Sequence, residues 1–308
     1  MSENRSKALL SILILVVIFF IILMIFSFYT LNIFKGDNGL SLENGKGKDK
    51  IAVVEVDGII MESKEVIEKL QLAKKDKAVK AIIVRVDSPG GAVGPSQEIY
   101  QEIRHIDQDE KKGKPVYASF ASIATSGGYY IGAAARKIYS NPGSLTGSIG
   151  VIMQFVDLSK LYEWAKIRPV TVKAGKFKDA GTPSRNLTAE EKELMNKMLV
   201  GVHGQFREDI LKARKGKIKG DLEQLSQGQI FSGQFAFEQG LVDELGGLWE
   251  AGRKIHKELN LEGEPRLVFV KKKSKFALRD LFEELDSVYS QFKGLLSIGH
   301  KPMYLMEN

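Results

Sequence analysis

Two short runs, Ile51-Ala-Val-Val-Glu-Val-Asp57 and Ala81-Ile-Ile-Val-Arg-Val-Asp87, decide the fold of this chain. Both are rich in β-branched residues and end in turn residues, which is typical of buried strands. Shorter strands are predicted at residues 116–120 and 170–173, and amphipathic helices at residues 63–75, 95–111, 126–135 and 188–214. Strands that alternate with helices indicate βαβ units. The sequence therefore predicts an α/β fold, a parallel sheet with flanking helices.

Glycine-rich turns follow several of these strands, at the edge of the sheet where ligands usually bind. The first turn is Asp87-Ser-Pro-Gly-Gly91. Its two glycines can bring bare backbone N–H groups close to a ligand, as an oxyanion hole requires. An ordinary strand-to-helix turn with positive φ explains the same glycines.

The second turn, Ala124-Thr-Ser-Gly-Gly-Tyr-Tyr130, lies between a predicted strand and a predicted helix. Ser126 would present its hydroxyl at the helix N-terminus, where negative charge is favoured, and the Gly127 N–H could face an oxyanion formed beside it. A simple helix cap explains Ser126 equally well. The third turn, Ser144-Leu-Thr-Gly-Ser-Ile-Gly150, is adequately explained by a hairpin or a strand corner.

A nucleophilic serine needs a base, and the histidines do not offer an obvious one. None of the four lies in a junction turn, so nothing supports a Ser-His-Asp triad; they are His105, His203, His256 and His300. His203, on the long predicted helix, is interpreted as a surface or packing residue.

Lysine is the other base used by serine nucleophiles. Such a lysine must be neutral, and lowering a lysine pKa from about 10.4 to about 7–8 costs roughly 4 kcal/mol. Lys178 lies in the glycine-flanked segment Ala174-Gly-Lys-Phe-Lys-Asp-Ala-Gly181. The neighbouring Asp179 would oppose neutralisation, but adjacent residues of an extended segment point to opposite sides. A solvent-exposed lysine is the ordinary alternative.

Composition excludes several classes of function. The 308 residues include no cysteine, which excludes disulfides, thiolate metal sites and a cysteine nucleophile. Neither a cofactor nor a metal site is predicted. The net charge of +7 comes from lysines spread along the chain, and no nucleic-acid motif accompanies them. A solvated face or attraction to anionic lipid headgroups is therefore expected, and nucleic-acid binding is not.

The N-terminal segment predicts one transmembrane helix, over residues 9–31. No charged residue occurs between Lys7 and Lys35, and Leu9 to Phe28 is almost wholly Leu, Ile, Val and Phe. About 20 apolar residues span a bilayer. A cleavable signal peptide has a shorter apolar region and a small-x-small site, which Ser27-Phe-Tyr-Thr-Leu31 lacks. Basic residues on both sides leave the orientation open.

The chain divides into five predicted regions. Residues 1–8 form a short tail, residues 9–31 the anchor, and residues 32–50 a flexible tether rich in Gly, Asn, Lys and Asp. The main folded domain is predicted over residues 51–262. Residues 263–308 are a lysine-rich C-terminal extension without an assigned role.

The three turns in this order, followed by Gly-Lys-Phe-Lys-Asp179, resemble peptidases of family S49, the signal peptide peptidase A group. This group shares its fold with the Clp-protease and crotonase superfamily. The resemblance runs from about Ile51 to Leu248 and includes Phe-Glu-Gln-Gly-Leu-Val-Asp-Glu-Leu-Gly246. One departure is Thr125, where the family more usually has alanine.

The resemblance implies a role for each matching residue. Ser126 would be the nucleophile and Lys178 the general base. The N–H groups of Gly91 and Gly127 would form the oxyanion hole, and Ser148 would orient the lysine. Short family members assemble as ring-like oligomers in which serine and lysine can come from neighbouring subunits. In that case a single chain would keep Ser126 and Lys178 apart.

The implied function is that of a membrane-anchored serine endopeptidase with a Ser/Lys dyad, which degrades cleaved signal peptides and similar membrane-derived peptides. Its partners would be peptide substrates, the lipid bilayer and further copies of the chain. The catalytic domain would lie on the extracytoplasmic side of a bacterial inner membrane. Two alternatives stay open. One is a crotonase-like acyl-CoA enzyme, and the other is an inactive membrane scaffold of the same fold.

Overall fold

The computed structural model describes residues 16–24, 40–42, 49–272 and 303–304. The chain forms two compact units, of which the smaller comprises Met1–Gly39 and Lys272–Phe282. Its described part is a helix, α1, at residues 16–24. Among the described residues, no helix has the length and apolarity needed to cross a membrane. Most of the predicted anchor lies outside those residues, and the anchor stays a prediction.

The larger unit alternates strands and helices, as the sequence predicts. In chain order these are β1 (Leu40–Leu42), β2 (Lys50–Ile60), α2 (Lys64–Lys75), β3 (Val79–Ala92), α3 (Val93–Gln108), β4 (Val116–Thr125), α4 (Gly127–Ala133), β5 (Lys137–Ser140), β6 (Leu145–Gly147), α5 (Ser159–Trp164), α6 (Ala189–Ala213), α7 (Leu222–Leu225), β7 (Ile230–Ser232), α8 (Gly233–Glu238), β8 (Glu244–Leu245), α9 (Leu248–Glu258), β9 (Leu267–Lys272) and β10 (Met303–Tyr304).

The strands form one sheet in the order β1-β9-β2-β3-β4-β5-β8. The pairs from β9 to β8 are all parallel. β6 extends β4 in parallel and pairs antiparallel with β7, and β10 pairs antiparallel with β3. Consecutive residues of β2, from Ile51 to Val54, are fully buried, as expected of a parallel strand covered on both faces. The predicted mixed α/β fold with a mainly parallel sheet is confirmed.

Local signals place several helix ends correctly, and one strand prediction is wrong. At the start of α6 the predicted capping box forms: the Glu191 N–H donates to Thr188 Oγ1 (3.2 Å), and the Thr188 N–H donates to Glu191 Oε2 (2.8 Å). No described strand pairs with residues 170–173, and Val170 and Val172 are 86% and 96% exposed. A β-rich run without a neighbouring strand leaves its backbone groups unpaired, so it does not form a strand.

A buried ion pair fastens the chain after α6 to the sheet. The fully buried Arg214 donates from Nη1 to Asp243 Oδ2 (2.5 Å) and from Nη2 to the Gly240 carbonyl (2.9 Å). Asp243 Oδ2 also accepts the Ile138 N–H (2.7 Å). Burial opposes ionisation of Asp243, but the Arg214 charge and these hydrogen bonds outweigh it and lower the pKa of Asp243.

Candidate active site

Ser126 lies at the junction between β4 and α4 in a strained conformation. Its φ of 53° and ψ of −116° lie outside the regions that residues other than glycine usually adopt. Its N–H donates to the Gly147 carbonyl (2.8 Å), and its own carbonyl accepts the Tyr130 N–H (2.9 Å). Such strain costs about 1–3 kcal/mol and persists only where the surroundings fix it. Nucleophilic serines of other hydrolases sit on strained strand-to-helix turns of this kind.

The Ser126 hydroxyl is fully buried and has no partner. Its Oγ makes no hydrogen bond among the described residues and does not cap α4. This finding disfavours the helix-cap explanation of the serine, because a capping hydroxyl accepts an N–H from the first helical turn. A buried hydroxyl without a partner costs about 1–3 kcal/mol. Ser126 Oγ is therefore left free to pair with a base that the described residues of the single chain do not place beside it.

The first glycine-rich segment is the irregular end of β3, since the strand continues through Ala92. Its pairing with β2 shifts register between Asp57 and Ile59. Glycine is required at position 91 because a Cβ there would lie 2.1 Å from the Ile60 carbonyl oxygen. The segment was predicted as a turn because proline and paired glycines are rare within strands.

The three glycine-rich segments lie together at the same end of the sheet. Thr125 Oγ1 donates to the Pro89 carbonyl (3.1 Å), which joins the second segment to the first. A Cβ on Gly128 would lie 2.8 Å from the Ser88 carbonyl oxygen, so α4 begins directly against β3. The hydrogen bond from Ser126 to Gly147 joins the third segment.

Ser148 follows Gly147 directly and is buried. Its φ is 47°, and its N–H donates to the Gln229 carbonyl (2.6 Å). Ser148 therefore lies one residue from the backbone group that holds Ser126.

Lys178 lies on an exposed turn whose backbone is fixed by a hydrogen bond from the Lys178 N–H to the Gly175 carbonyl (3.2 Å). Its side chain has no hydrogen bond or ion pair with any residue that the structure describes. The carboxylate of Asp179 contacts Lys173 and lies 3.1 Å from Arg185 Nη2. These contacts, the Lys173 hydrogen bond most of all, lower the pKa of Asp179. Within the described residues of one chain, the Lys178 side chain makes no hydrogen bond to Ser126.

Residues 108–262 match the sequence profile of peptidase family S49. The chain belongs to this family. A protein of Enterococcus faecium that carries the name signal peptide peptidase SppA is 32% identical over 245 residues, which cover 74% of this chain and 70% of that protein. Serine protease SPPA, chloroplastic, of Arabidopsis thaliana is 34% identical over 219 residues, 67% of this chain and 32% of its own length. Protease 4 of Haemophilus influenzae is 32% identical over 228 residues, 71% and 36% respectively.

The predicted family and enzyme class are therefore confirmed: this S49 chain is a serine peptidase. Two features of its site were not predicted from the sequence. The first is β10, in which Tyr304 pairs with Gly91 and Met303 with Ala92. A strand from the chain's own C-terminal region thus lies beside the glycine expected in the oxyanion hole.

The second feature is a cavity of about 520 Å³ that begins at Ser148. One wall is a face of α6, where Leu199 and His203 are spaced four residues apart and so lie on the same side of the helix. The sequence gives little indication of this cavity, because its other walls come from segments far apart in the chain, near Ile152 and Ser226.

Proposed function

We propose that this S49 peptidase is a membrane-anchored endopeptidase that degrades cleaved signal peptides and similar membrane-derived peptides. Ser126 is its nucleophile and Lys178 its general base. The observation that carries the proposal is the strained turn that holds a buried, unpartnered Ser126 Oγ. The substrate class is supported by the name of the Enterococcus faecium relative.

The first chemical step is attack of Ser126 Oγ on a peptide carbonyl. The Gly127 N–H supports oxyanion binding, because the first N–H groups of a helix have no partner within it. Gly91 would supply the second N–H from the end of β3. The hydroxyl proton passes to the base and then to the leaving amine, and water hydrolyses the acyl-enzyme.

The base would come from a neighbouring copy of the chain. Residues 151–187, which we name the arm, carry Lys178 and contain little regular structure. The arm exposes large apolar side chains, with Trp164 82% exposed; the others are Val156, Leu161, Ile167, Val170, Val172 and Phe177. Exposed apolar groups of this extent are typical of interaction surfaces. Burial of the arm against a second copy would also give Lys178 the apolar surroundings that a neutral lysine needs, with Ser148 orienting it.

The anchor at residues 9–31 would hold the catalytic domain near the bilayer, on the extracytoplasmic side. Its support is the uncharged apolar run of the sequence. Signal-peptide remnants are released within the same membrane, so an anchored peptidase meets its substrates there.

The test compares the full chain in detergent with its Ser126→Ala and Lys178→Ala variants on casein and on a synthetic signal peptide. Both variants should lose cleavage, and a serine-reactive phosphonate should label Ser126. Matched controls are Ser122→Ala, at an exposed serine of β4, and Lys176→Ala, at an exposed arm lysine. Undiminished cleavage by Ser126→Ala or by Lys178→Ala would refute the dyad. Loss of cleavage with retained labelling of Ser126 in the lysine variant would show that serine is accessible but not activated. An inactive wild-type chain would instead support the scaffold alternative.

A further inference from the structure

The turn that carries Lys178 is tied to the start of α6 through the next residue, Asp179. The Asp179 carboxylate lies 3.1 Å from Arg185 Nη2 and also accepts a hydrogen bond from the Lys173 ammonium group. Arg185 in turn binds both oxygens of Glu191, since Nη1 donates to Oε2 (2.9 Å) and Nη2 donates to Oε1 (2.7 Å). Glu191 belongs to the capping box of α6. One arginine therefore joins the turn at Lys178 to the first turn of a long helix.

This cluster of four charged groups is partly shielded from water and carries no net charge. The side chain of Asp179 is 13% exposed and that of Glu191 is 4% exposed. Arg185 and Lys173 supply two positive charges against these two carboxylates. Hydrogen bonds from Arg185 and from the Thr188 N–H lower the pKa of Glu191 to about 2, and the pKa of Asp179 is lowered as well. Both carboxylates are therefore ionised at neutral pH.

The cluster removes an obstacle to the use of Lys178 as a base. Asp179 follows Lys178 directly, and a free carboxylate so close to a lysine stabilises its ammonium form. In the structure the carboxylate is held by the two cations of the cluster, and Lys178 forms no ion pair with any residue that the structure describes. The other charged side chains next to the turn, Lys176 and Glu190, pair with each other (2.6 Å). No carboxylate of this region is left for Lys178.

We infer that Arg185 is a positioning residue for the proposed base: by holding the Asp179 carboxylate, it keeps Lys178 unpaired and able to lose its proton. A lysine takes the proton of a serine hydroxyl only in its neutral form. One unbalanced carboxylate beside the lysine would move its titration upward by about half to one pH unit. This inference rests on the proposed function, because it takes Lys178 as the base of Ser126.

The test measures kcat/KM of the full chain in detergent against pH, on the synthetic signal peptide. Activity should rise with pH as the base loses its proton, and the midpoint of this rise reports the base in the free enzyme. Arg185→Met should move the midpoint upward by about half to one pH unit, because the charge of Asp179 is then less well balanced. Arg185→Lys keeps the positive charge and should retain most of the wild-type midpoint, although it loses the bidentate geometry. The matched control is Arg253→Met, which breaks an exposed pair with Glu250 on α9 and should leave the midpoint unchanged.

A double-mutant cycle distinguishes this role from a purely structural one. In an Asp179→Asn background, Arg185→Met releases no carboxylate beside Lys178 and should move the midpoint by about half as much or less. Lys173→Met removes the other cation without touching the cap of α6, and it should also raise the midpoint. Equal shifts of Arg185→Met in the two backgrounds would overturn the inference. So would a wild-type midpoint in folded Arg185→Met or, if that variant does not fold, in Lys173→Met.

A labelling measurement separates this inference from the proposed function. Acetic anhydride reacts with neutral amines, so its rate of reaction with Lys178, followed by mass spectrometry against pH, gives a midpoint for this lysine without any cleavage. In the Ser126→Ala chain, adding Arg185→Met should raise the Lys178 midpoint and leave that of Lys69, which pairs with Glu65 on α2, unchanged. Equal Lys178 midpoints would overturn the role of Arg185 even if Lys178 is the base. A raised midpoint in a protein whose Lys178→Ala variant still cleaves would instead overturn the proposed function and leave the effect of Arg185 on Lys178 in place.

Discussion

The catalytic turn at Ser126 and the arm that carries Lys178 are built in opposite ways. Ser126 is buried between β4 and α4, and three neighbouring segments of the same chain fix its backbone. Lys178 lies on an exposed turn, and the apolar side chains around it have no cover within the described residues. The difference teaches that one chain fixes the geometry at Ser126 by itself, whereas Lys178, as the proposed base, would need a surface that a second copy supplies.

The strongest test of this difference is complementation between two inactive chains. Ser126→Ala and Lys178→Ala should each reduce kcat/KM by about a thousandfold or more, as loss of a nucleophile or its base does in other serine peptidases. When the two variants are dissociated and reassembled together in equal amounts, activity should return to about a quarter of the wild-type value, because random assembly joins an intact serine to an intact lysine at one site in four. Peptide hydrolysis before and after reassembly gives the measurement.

The same mixture also reveals the opposite arrangement. If each chain supplied both residues to its own site, reassembly would restore nothing, because every chain lacks one of them. Reassembly of Ser126→Ala with itself provides the background. A mixture that stays at this background would contradict the shared site.

The turn at Ser126 is part of the folded core, so a substitution that disrupts the core should lower the stability of the whole domain. Arg214→Met removes one partner of the buried pair with Asp243 and should lower the free energy of unfolding by about 3–5 kcal/mol. Arg253→Met, in an exposed pair with Glu250, should change it by less than about 1 kcal/mol. Urea unfolding followed by circular dichroism measures both. A small effect of Arg214→Met would mean that water or another side chain replaces the lost charge.

The effect of Arg214→Met should depend on pH in a defined direction. The pKa of Asp243 is lowered in the folded protein, so its ionisation contributes stability above the unfolded pKa of about 3.9, and this contribution is lost as the pH falls through the folded pKa. The stability difference between wild type and variant should be full at neutral pH and shrink below about pH 4. A difference that grows on acidification would assign the effect to another group.

Sequence reasoning worked where the signals are local. The capping box at Thr188 and Glu191 depends on residues three apart, and the Ser126 junction depends on adjacent residues, so both could be predicted. The absence of a strand at residues 170–173 could not be predicted from local sequence, because a β-rich pattern fits an exposed protein interface as well as a sheet. The pairing of β10 with β3 and the cavity at His203 join segments far apart in the chain, and a single sequence carries no information on such contacts.

A charge introduced into the arm should reduce the activity of the protein more than its thermal stability. Trp164→Glu places a carboxylate on the most exposed aromatic side chain of the arm and should weaken assembly, with a loss of activity of about 10- to 100-fold at low protein concentration. The midpoint of thermal unfolding of the domain should change little, because the side chain is 82% exposed. Trp249→Glu, at an exposed tryptophan of α9, is the control. Equal losses in the two variants would contradict a specific role for the arm.

The smallest expected effect concerns β10, which pairs with β3 at Gly91 and Ala92. Extended peptides bind proteins by adding a strand to an exposed edge, so β10 occupies backbone groups that a substrate beside Gly91 would use. Replacing Met303 and Tyr304 with prolines removes their N–H donors and should raise kcat/KM about two- to fivefold, the value of one or two backbone hydrogen bonds. Replacing both with alanines keeps the backbone groups and should leave kcat/KM near the wild-type value. If the proline and alanine variants are equally active, β10 does not compete with substrate for the backbone groups of Gly91 and Ala92.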